Sequence, residues 1–392
     1  MRVIMHIDVN NAFLSWEALY LMEQGYKYDI RDSYAVIGGD EASRRGIVLA
    51  KSTPAKKLGI VTAEPLFHAR KKCKVLKVYP PHFDYYKIMH EKLMSLIRYY
   101  TPDIEVASID ECYMDFSNIM YLYKDPLLFA KKLQKQIYDE LGFTVNIGIA
   151  NNKLCAKMAS DLSKPNKIHT IFDDEIESKM YPLKIEELFG IGRKTSPKLK
   201  KIGINSIGDL AGFDENRLKL LFKNQANKMI LLAKGIDTSE VISYDIAAKG
   251  ISHSTTLIKD VNNIKDLYKT VELLVDEVCI ELRSTKRCAY VISSFVKTNK
   301  FKMISHQRKL NNATDNTLKI CVIAKELLNE MDLEDSIRLV GVRVDNLTSN
   351  RNCQLSLFDE EKFEHNTLDN TIDSLKKKYG SSVIVSASNK KL

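Results

Sequence analysis

Residues 107–117 read ASIDECYMDFS and residues 5–15 read MHIDVNNAFLS. Each sets an acid directly after a short apolar run with the character of a buried strand: Asp110 with Glu111 in one, Asp8 in the other. A strand-end acid beside a buried sheet is costly unless it is paired or metal-bound. Carboxylates delivered by neighbouring strand ends can hold two divalent cations against a phosphate.

Outward from these runs the elements alternate. Arg2 to Ile7 reads as a strand and Ala12 to Met22 as a helix. Val36 to Gly39 is a short strand, followed to Thr62 by a compact region of glycines and basic residues. A helix from about Pro81 to Tyr99 precedes Ile104 to Ala107, the acidic pair, and Cys112 to Phe116, a hairpin-like sequence. A helix at Pro126 to Leu141, a strand at Thr144 to Ile149 and a helix at Lys153 to Leu162 follow. This order predicts a small mixed or antiparallel sheet with its helices on one face, and Asp8 and Asp110 on adjacent central strands.

Residues 165–245 change to short helical pieces separated by glycines, among them LFGIGRKT at 188–195. The GIG turn with a basic residue beyond it has the form of a helix-hairpin-helix, which offers helix-start amides to a duplex backbone. An ordinary tight helix turn has the same local signature. From Gly250 to Asn346 the pattern is strand, helix, strand, strand, helix, strand, which predicts two helices on a four-stranded sheet. Between Arg283 and Lys309 stand eight Lys or Arg and no Asp or Glu. That run suits either a solvated face or a surface for a phosphate backbone. The segment Gln354-Leu-Ser-Leu-Phe358 is dense in apolar residues between polar flanks. It can dock on the body or be offered to a partner's pocket. An amphipathic stretch at Leu368 to Tyr379 ends the pattern.

At 392 residues the chain exceeds what one core organises. A net charge of +9 favours a polyanionic partner. Seven cysteines without a CxxC pair argue against a disulfide framework or zinc site and for a reducing cytosol. No stretch has the roughly 20 apolar residues a bilayer requires, so a cytoplasmic protein without membrane contact is expected.

Nucleotidyl transfer requires an activated 3′ oxygen, charge cancellation at the transferred phosphorus and a leaving pyrophosphate held in line. Two Mg²⁺ ions about 4 Å apart serve all three, with Mn²⁺ as a substitute. Asp8 and Asp110 are expected to bridge the ions, Glu111 to complete the one nearer the primer hydroxyl, and the Val9 carbonyl to serve the nucleotide-side ion. Thr53, Lys56 and Lys164 are candidates to hold the triphosphate, although each lysine taken singly also suits a solvated surface.

Together and in this order, MHIDVNNAFLS, KSTPAKKLG (51–59), ASIDECYMDFS, NIGIANNKLCAKMASDLSKP (146–165), LFGIGRKT, GISHSTTL (250–257) and QLSLF resemble the Y-family DNA polymerases, the bacterial translesion enzymes of impB/mucB/samB type. The resemblance implies an α+β right hand. It has a ferredoxin-like palm (1–30 and 75–165), small fingers (31–74), a helical helix-hairpin-helix thumb (166–240) and an α/β little finger (248–346). A tail (350–392) carries the clamp-binding peptide 354–358. It implies that Asp8, Asp110 and Glu111 are the metal carboxylates and Lys164 the triphosphate lysine. Phe13 falls at the steric gate that excludes a 2′-OH, although a core aromatic on the first helix explains it equally well. Lys56 stands where the family usually has arginine, exchanging a bidentate fork for a point charge. Asn10-Asn11-Ala12 departs from the usual residues before the gate, and the smaller Ala12 is expected to leave the nucleotide looser.

Implied partners are primer-template DNA, dNTPs and a bacterial sliding clamp gripping Gln354 to Phe358; a monomer is expected. The implied activity is low-fidelity, translesion DNA synthesis. Two other readings compete: another palm-type nucleotidyl enzyme such as a cyclase, and a catalytically silent DNA- and clamp-binding protein.

Overall fold

Ile4–Val9 (β1) is buried along its whole length at the centre of a five-stranded sheet in the computed structural model of the chain. The structure describes residues 2–41, 44, 46–244, 247–349, 361–380 and 383–384. The remaining strands in chain order are β2 (Ala35–Gly38), β3 (Val48–Lys51), β4 (Lys77–Tyr79), β5 (Ile104–Val106), β6 (Glu111–Asp115), β7 (Val145–Ala150), β8 (Ile168–Ile171), β9 (Gly250–Val261), β10 (Arg287–Thr298), β11 (Met303–Thr314) and β12 (Ile337–Ser349). Two compact units divide the chain: Met1–Gly39 with Gly46–Asp245, and Asp40–Arg45 with Ile246–Leu392.

The central sheet of the first unit has the order β5-β6-β1-β7-β8. β1 pairs antiparallel with β6 and β7, and β8 runs parallel to β7, so the sheet is mixed. Side chains alternate across a strand. Met5, Ile7 and Val9 enter one core with Tyr86, Leu93, Leu133 and Ile137 from the helices Phe83–Arg98 and Pro126–Leu141. His6 and Asp8 therefore face the other side.

That side is not open. The helix Lys153–Asp161 covers it, with Leu154 and Met158 in one cluster with Ile4, Tyr113 and Ala150, so the expected one-sided arrangement is corrected to helices on both faces. The cause is Gly148 in β7. A Cβ there would stand 1.9 Å from the Ala156 carbonyl oxygen and 2.4 Å from the Ser160 nitrogen. Lacking one, the strand lets the helix backbone lie directly against it.

A three-stranded sheet, β3-β2-β4, buries Val36, Val48, Ala55 and Leu66. Leu14 and Ala18 of the helix Ala12–Glu23 pack with Ile30, Ala35, Ile37 and Ala50, binding the two sheets together. Beyond β8, the short helices Ser196–Lys200, Ile207–Ala211, Glu215–Phe222 and Gln225–Ala233 share the core of the helix Lys153–Asp161. Gly190, in the GIG turn, takes φ +93, where a side chain would be strained.

The second unit has the antiparallel sheet β11-β10-β12-β9. The helices Tyr268–Ser284 and Thr317–Asn329 bury Val271, Val275, Ile320 and Leu327 against Ile292, Val296, Val340 and Val342. The expected two helices on four strands are present. The basic run between Arg283 and Lys309 is not one surface, however. Arg283, 8% exposed, is paired with Asp369 and Asp373 of the helix Glu361–Tyr379. Arg308 turns to Glu326 and Glu330, while Lys302 and Lys309 are exposed. The segment Gln354 to Phe358 lies outside the described residues.

Candidate active site

Register decides which acids meet. Asp8 lies directly opposite Glu111 in the β1–β6 pair. Asp110 precedes β6 by one residue; its carbonyl accepts from the Val9 N–H at 3.0 Å and its carboxylate accepts from Ser108 Oγ at 2.6 Å. Asp8 and Glu111 are thus brought face to face, with Asp110 tied to the same strand through the main chain.

Asp8 is 5% exposed, and a buried carboxylate demands compensation. Lys164 Nζ lies 2.7 Å and Lys157 Nζ 3.3 Å from its Oδ2. Lys157 also donates to Glu111 Oε1 at 2.7 Å, and both lysines reach Asp161, at 3.4 and 2.9 Å. Burial raises the Asp8 pKa, and the two lysines do not fully offset it. The nearby His6 imidazole and the Lys157 ammonium, the latter in direct hydrogen bond, together hold Glu111 below the usual carboxylate range against the opposing effect of burial. Burial alone would lower both lysines, but hydrogen bonding to Glu111 and the Asp8 charge raise Lys157, and Asp8 and Asp161 raise Lys164. His6 Nδ1 is 2.8 Å from Ser160 Oγ. Its buried Nε2 stands 3.6 Å from Glu111 Oε2, too far for a hydrogen bond, and has no partner.

Among the described residues no three His, Cys, Asp or Glu side chains converge on one point. Instead two ammonium groups sit against the carboxylates, a direct measure of how strongly this spot calls for positive charge. The donors are carboxylate oxygens without sulfur, a set that fits hard divalent cations.

The other candidates lie around this cluster. Thr53 and Lys56 are exposed on the short helix Thr53–Lys57, whose start is capped by Ser52 accepting from Ala55 N–H. Asn11 Nδ2 donates to the Lys51 carbonyl at 2.6 Å, joining the start of the first helix to β3. Phe13 is half-buried. It stacks on Tyr86 at 5.1 Å and meets the edge of Phe83 at 5.8 Å. Tyr86 in turn donates from its hydroxyl to Glu17 at 2.6 Å, and Glu17, wholly buried, is also held 2.8 Å from His82 Nδ1. A cleft of about 760 Å³ beside Glu111 is lined by Glu105, Tyr113, Lys153, Phe189 and Lys228.

Lys157, His6, Asn146 and the Glu17–Tyr86 brace escaped the sequence reading. Lys157 had a signal, a charge inside the apolar helical run Leu154 to Ala159, where lysine is rarely buried without a partner.

Known proteins agree with this architecture. The impB/mucB/samB family model matches residues 7–161, its C-terminal domain 248–357 and the family's HHH motif 173–204. The chain is 46% identical to DNA polymerase IV of Clostridium acetobutylicum, over 98% of this chain and 97% of that one. It is 35% identical to DNA polymerase IV of Oceanobacillus iheyensis, over 99% and 92%. A solved Y-family DNA polymerase chimera superposes with a TM-score of 0.79 at 23% identity, covering 89% of this chain and all of that one. At that identity the likeness establishes the fold. The DNA polymerase IV relatives carry the family: the chain belongs to the impB/mucB/samB family, the Y-family DNA polymerases.

Proposed function

We propose that this translesion, DNA-directed DNA polymerase adds dNTPs to a primer 3′ end at Asp8, Asp110 and Glu111. The observation that carries the reading is the pairing of Asp8 with Glu111 across β1 and β6, each in contact with a lysine ammonium. These three carboxylates and the Val9 carbonyl would hold two Mg²⁺ ions. Such ions, when bound, activate the primer hydroxyl and cancel charge on the phosphates.

The chain's own residues then divide the work. Lys164, already at Asp8, takes the triphosphate; Thr53 and Lys56 extend that grip from the fingers. Phe13, backed by Tyr86, closes the space beside C2′ of the incoming sugar. The cleft beside Glu111 receives the primer end. Palm (1–30 and 75–165), fingers (31–74), thumb (166–240) and little finger (248–346) are the domains assigned to these tasks, and Gln354 to Phe358 tether the enzyme, as a monomer, to a sliding clamp. Among the described residues no helix is long and apolar enough to cross a membrane, and a DNA substrate puts the enzyme in the cytoplasm.

Extension of a primed template, intact and abasic, with each dNTP tests the reading. Native protein extends both in Mg²⁺, and the Asp110→Ala, Glu111→Ala double variant binds the DNA without extending it. Extension by the double variant would refute the assignment of the acids. DNA binding without Mg²⁺-dependent extension by native protein would favour the silent binding protein.

A further inference from the structure

We propose that Asn10 and Asn146 form a buried amide lock that positions Lys164. The proposal rests on the reading of Lys164 as the triphosphate lysine. Asn146, on β7, has no exposed surface, and Asn10, just beyond β1, has 8%. Asn146 is not free to turn over, because main-chain groups of fixed polarity face both its ends, and Asn10 is fixed in turn by the Asn166 N–H at its oxygen and by the oriented Asn146 oxygen at its nitrogen. Asn146 Nδ2 donates to the carbonyls of Ser160 at 2.9 Å and Ser163 at 2.6 Å. Its Oδ1 accepts from the Lys167 N–H at 3.1 Å and from Asn10 Nδ2 at 3.0 Å. Asn10 Oδ1 accepts from the Asn166 N–H at 2.7 Å and from Thr144 Oγ1 at 3.0 Å.

Both donors and both acceptor sites of Asn146 are thereby used. The bonds fall on Ser160, Ser163, Asn166 and Lys167, which bracket Lys164. The turn they hold is one the backbone does not favour alone, since Asn166 takes φ +57. Lysine carries its charge on a flexible stem, so placing an ammonium against a bound triphosphate requires a fixed origin for that stem. Asn10 supplies the reference point: it lies two residues beyond Asp8, whose Oδ2 is 2.7 Å from Lys164 Nζ. One short piece of β1 thus sets both the acid and, through the two amides, the lysine.

Steady-state kinetics and amide hydrogen exchange test the lock in native enzyme, Asn146→Ala, Lys164→Ala and the double variant. Asn146→Ala should raise KM for dNTP about tenfold while kcat changes much less, and the amides of Asn166 and Lys167 should exchange faster. The double variant should have the KM of Lys164→Ala, because the asparagine acts through the lysine. Independent, multiplying effects, or an unchanged KM in Asn146→Ala alongside a raised one in Lys164→Ala, would overturn the lock while leaving the lysine's role intact. An unchanged KM in Lys164→Ala would instead overturn the reading on which it stands, and the lock with it. If Asn146→Ala does not fold, Asn10→Ala, which removes the bonds to Asn146, Asn166 and Thr144 but leaves those of Asn146 to Ser160, Ser163 and Lys167, is read in the same way.

Discussion

Asp8 carries two opposed demands. The proposed chemistry requires a charged carboxylate, while burial on the helix-covered face of β1 penalises the charge and raises its pKa. A carboxyl whose pKa rises on folding contributes stability that is complete below its unfolded pKa and is lost as pH climbs through the folded value. Asp8→Asn keeps the uncharged state at every pH. It should therefore stabilise the fold near neutrality, at the expense of activity, and the gain should vanish in acid. Urea midpoints of the two proteins at neutral and acidic pH check this; identical midpoints at neutrality would refute it. The proposed gate offers a second test at this scale. Phe13 stacks on Tyr86, which Glu17 holds by its hydroxyl. Phe13→Ala should reduce the preference for dNTP over rNTP by about tenfold or more. Tyr86→Ala should reduce it less, because the gate ring remains but loses its backing. Paired kcat/KM values measure both, and a preference unchanged by Phe13→Ala would return that ring to the ordinary core.

The helix Lys153–Asp161 is where one element decides the site. It carries Lys157 to Glu111 and begins the approach to Lys164, and it can do so only because β7 has no side chain at Gly148. Gly148→Ala must push the helix off the sheet, costing about 2–3 kcal/mol and separating Lys157 from the acids. A lower Tm with lost extension is the expected result; an unchanged Tm would show that the helix does not need this contact. The same contact marks the limit of what local sequence conveys. Periodicity sufficed for the helices at 83–98, 126–141 and 153–161, since each has its own spacing of apolar residues, while the helix at 12–23 is apolar nearly all round and shows by its length of apolar sequence. Which face the helix at 153–161 covers depends on a backbone meeting between Gly148 and Ala156, eight residues apart, and apolar periodicity does not report how a strand and the helix after it approach. That Asp8 and Glu111 stand on adjacent strands, with Asp110 at the edge of the second, was legible because apolar runs precede them. The bonds of Asn10 to Asn146 and Asn166 were not, because they join residues 136 and 156 positions apart.

At the scale of the whole molecule, the net charge of +9 matters by its placement. Counting basic residues between Arg283 and Lys309 overstates what a DNA backbone can meet, since Arg308 is spent on Glu326 and Glu330 and Arg283 on Asp369 and Asp373. Along β11 the side chains alternate, and Lys309 points to the opposite face from Arg308. The two kinds of basic residue should separate in the salt dependence of DNA binding. Each phosphate contact contributes roughly 0.9 to the slope of log K against log salt. Lys302→Gln and Lys309→Gln should each lower that slope by up to this amount, weakening binding alike on every sequence because phosphates carry no base identity. Arg308→Gln should leave the slope where it is and reduce the stability of the second unit instead, since it strips two carboxylates of their partner. Titrations of primer-template DNA across a salt series, with melting curves beside them, distinguish the two. A slope that falls with Arg308→Gln and holds with Lys309→Gln would mean that DNA meets the helical side of this sheet and not its open face.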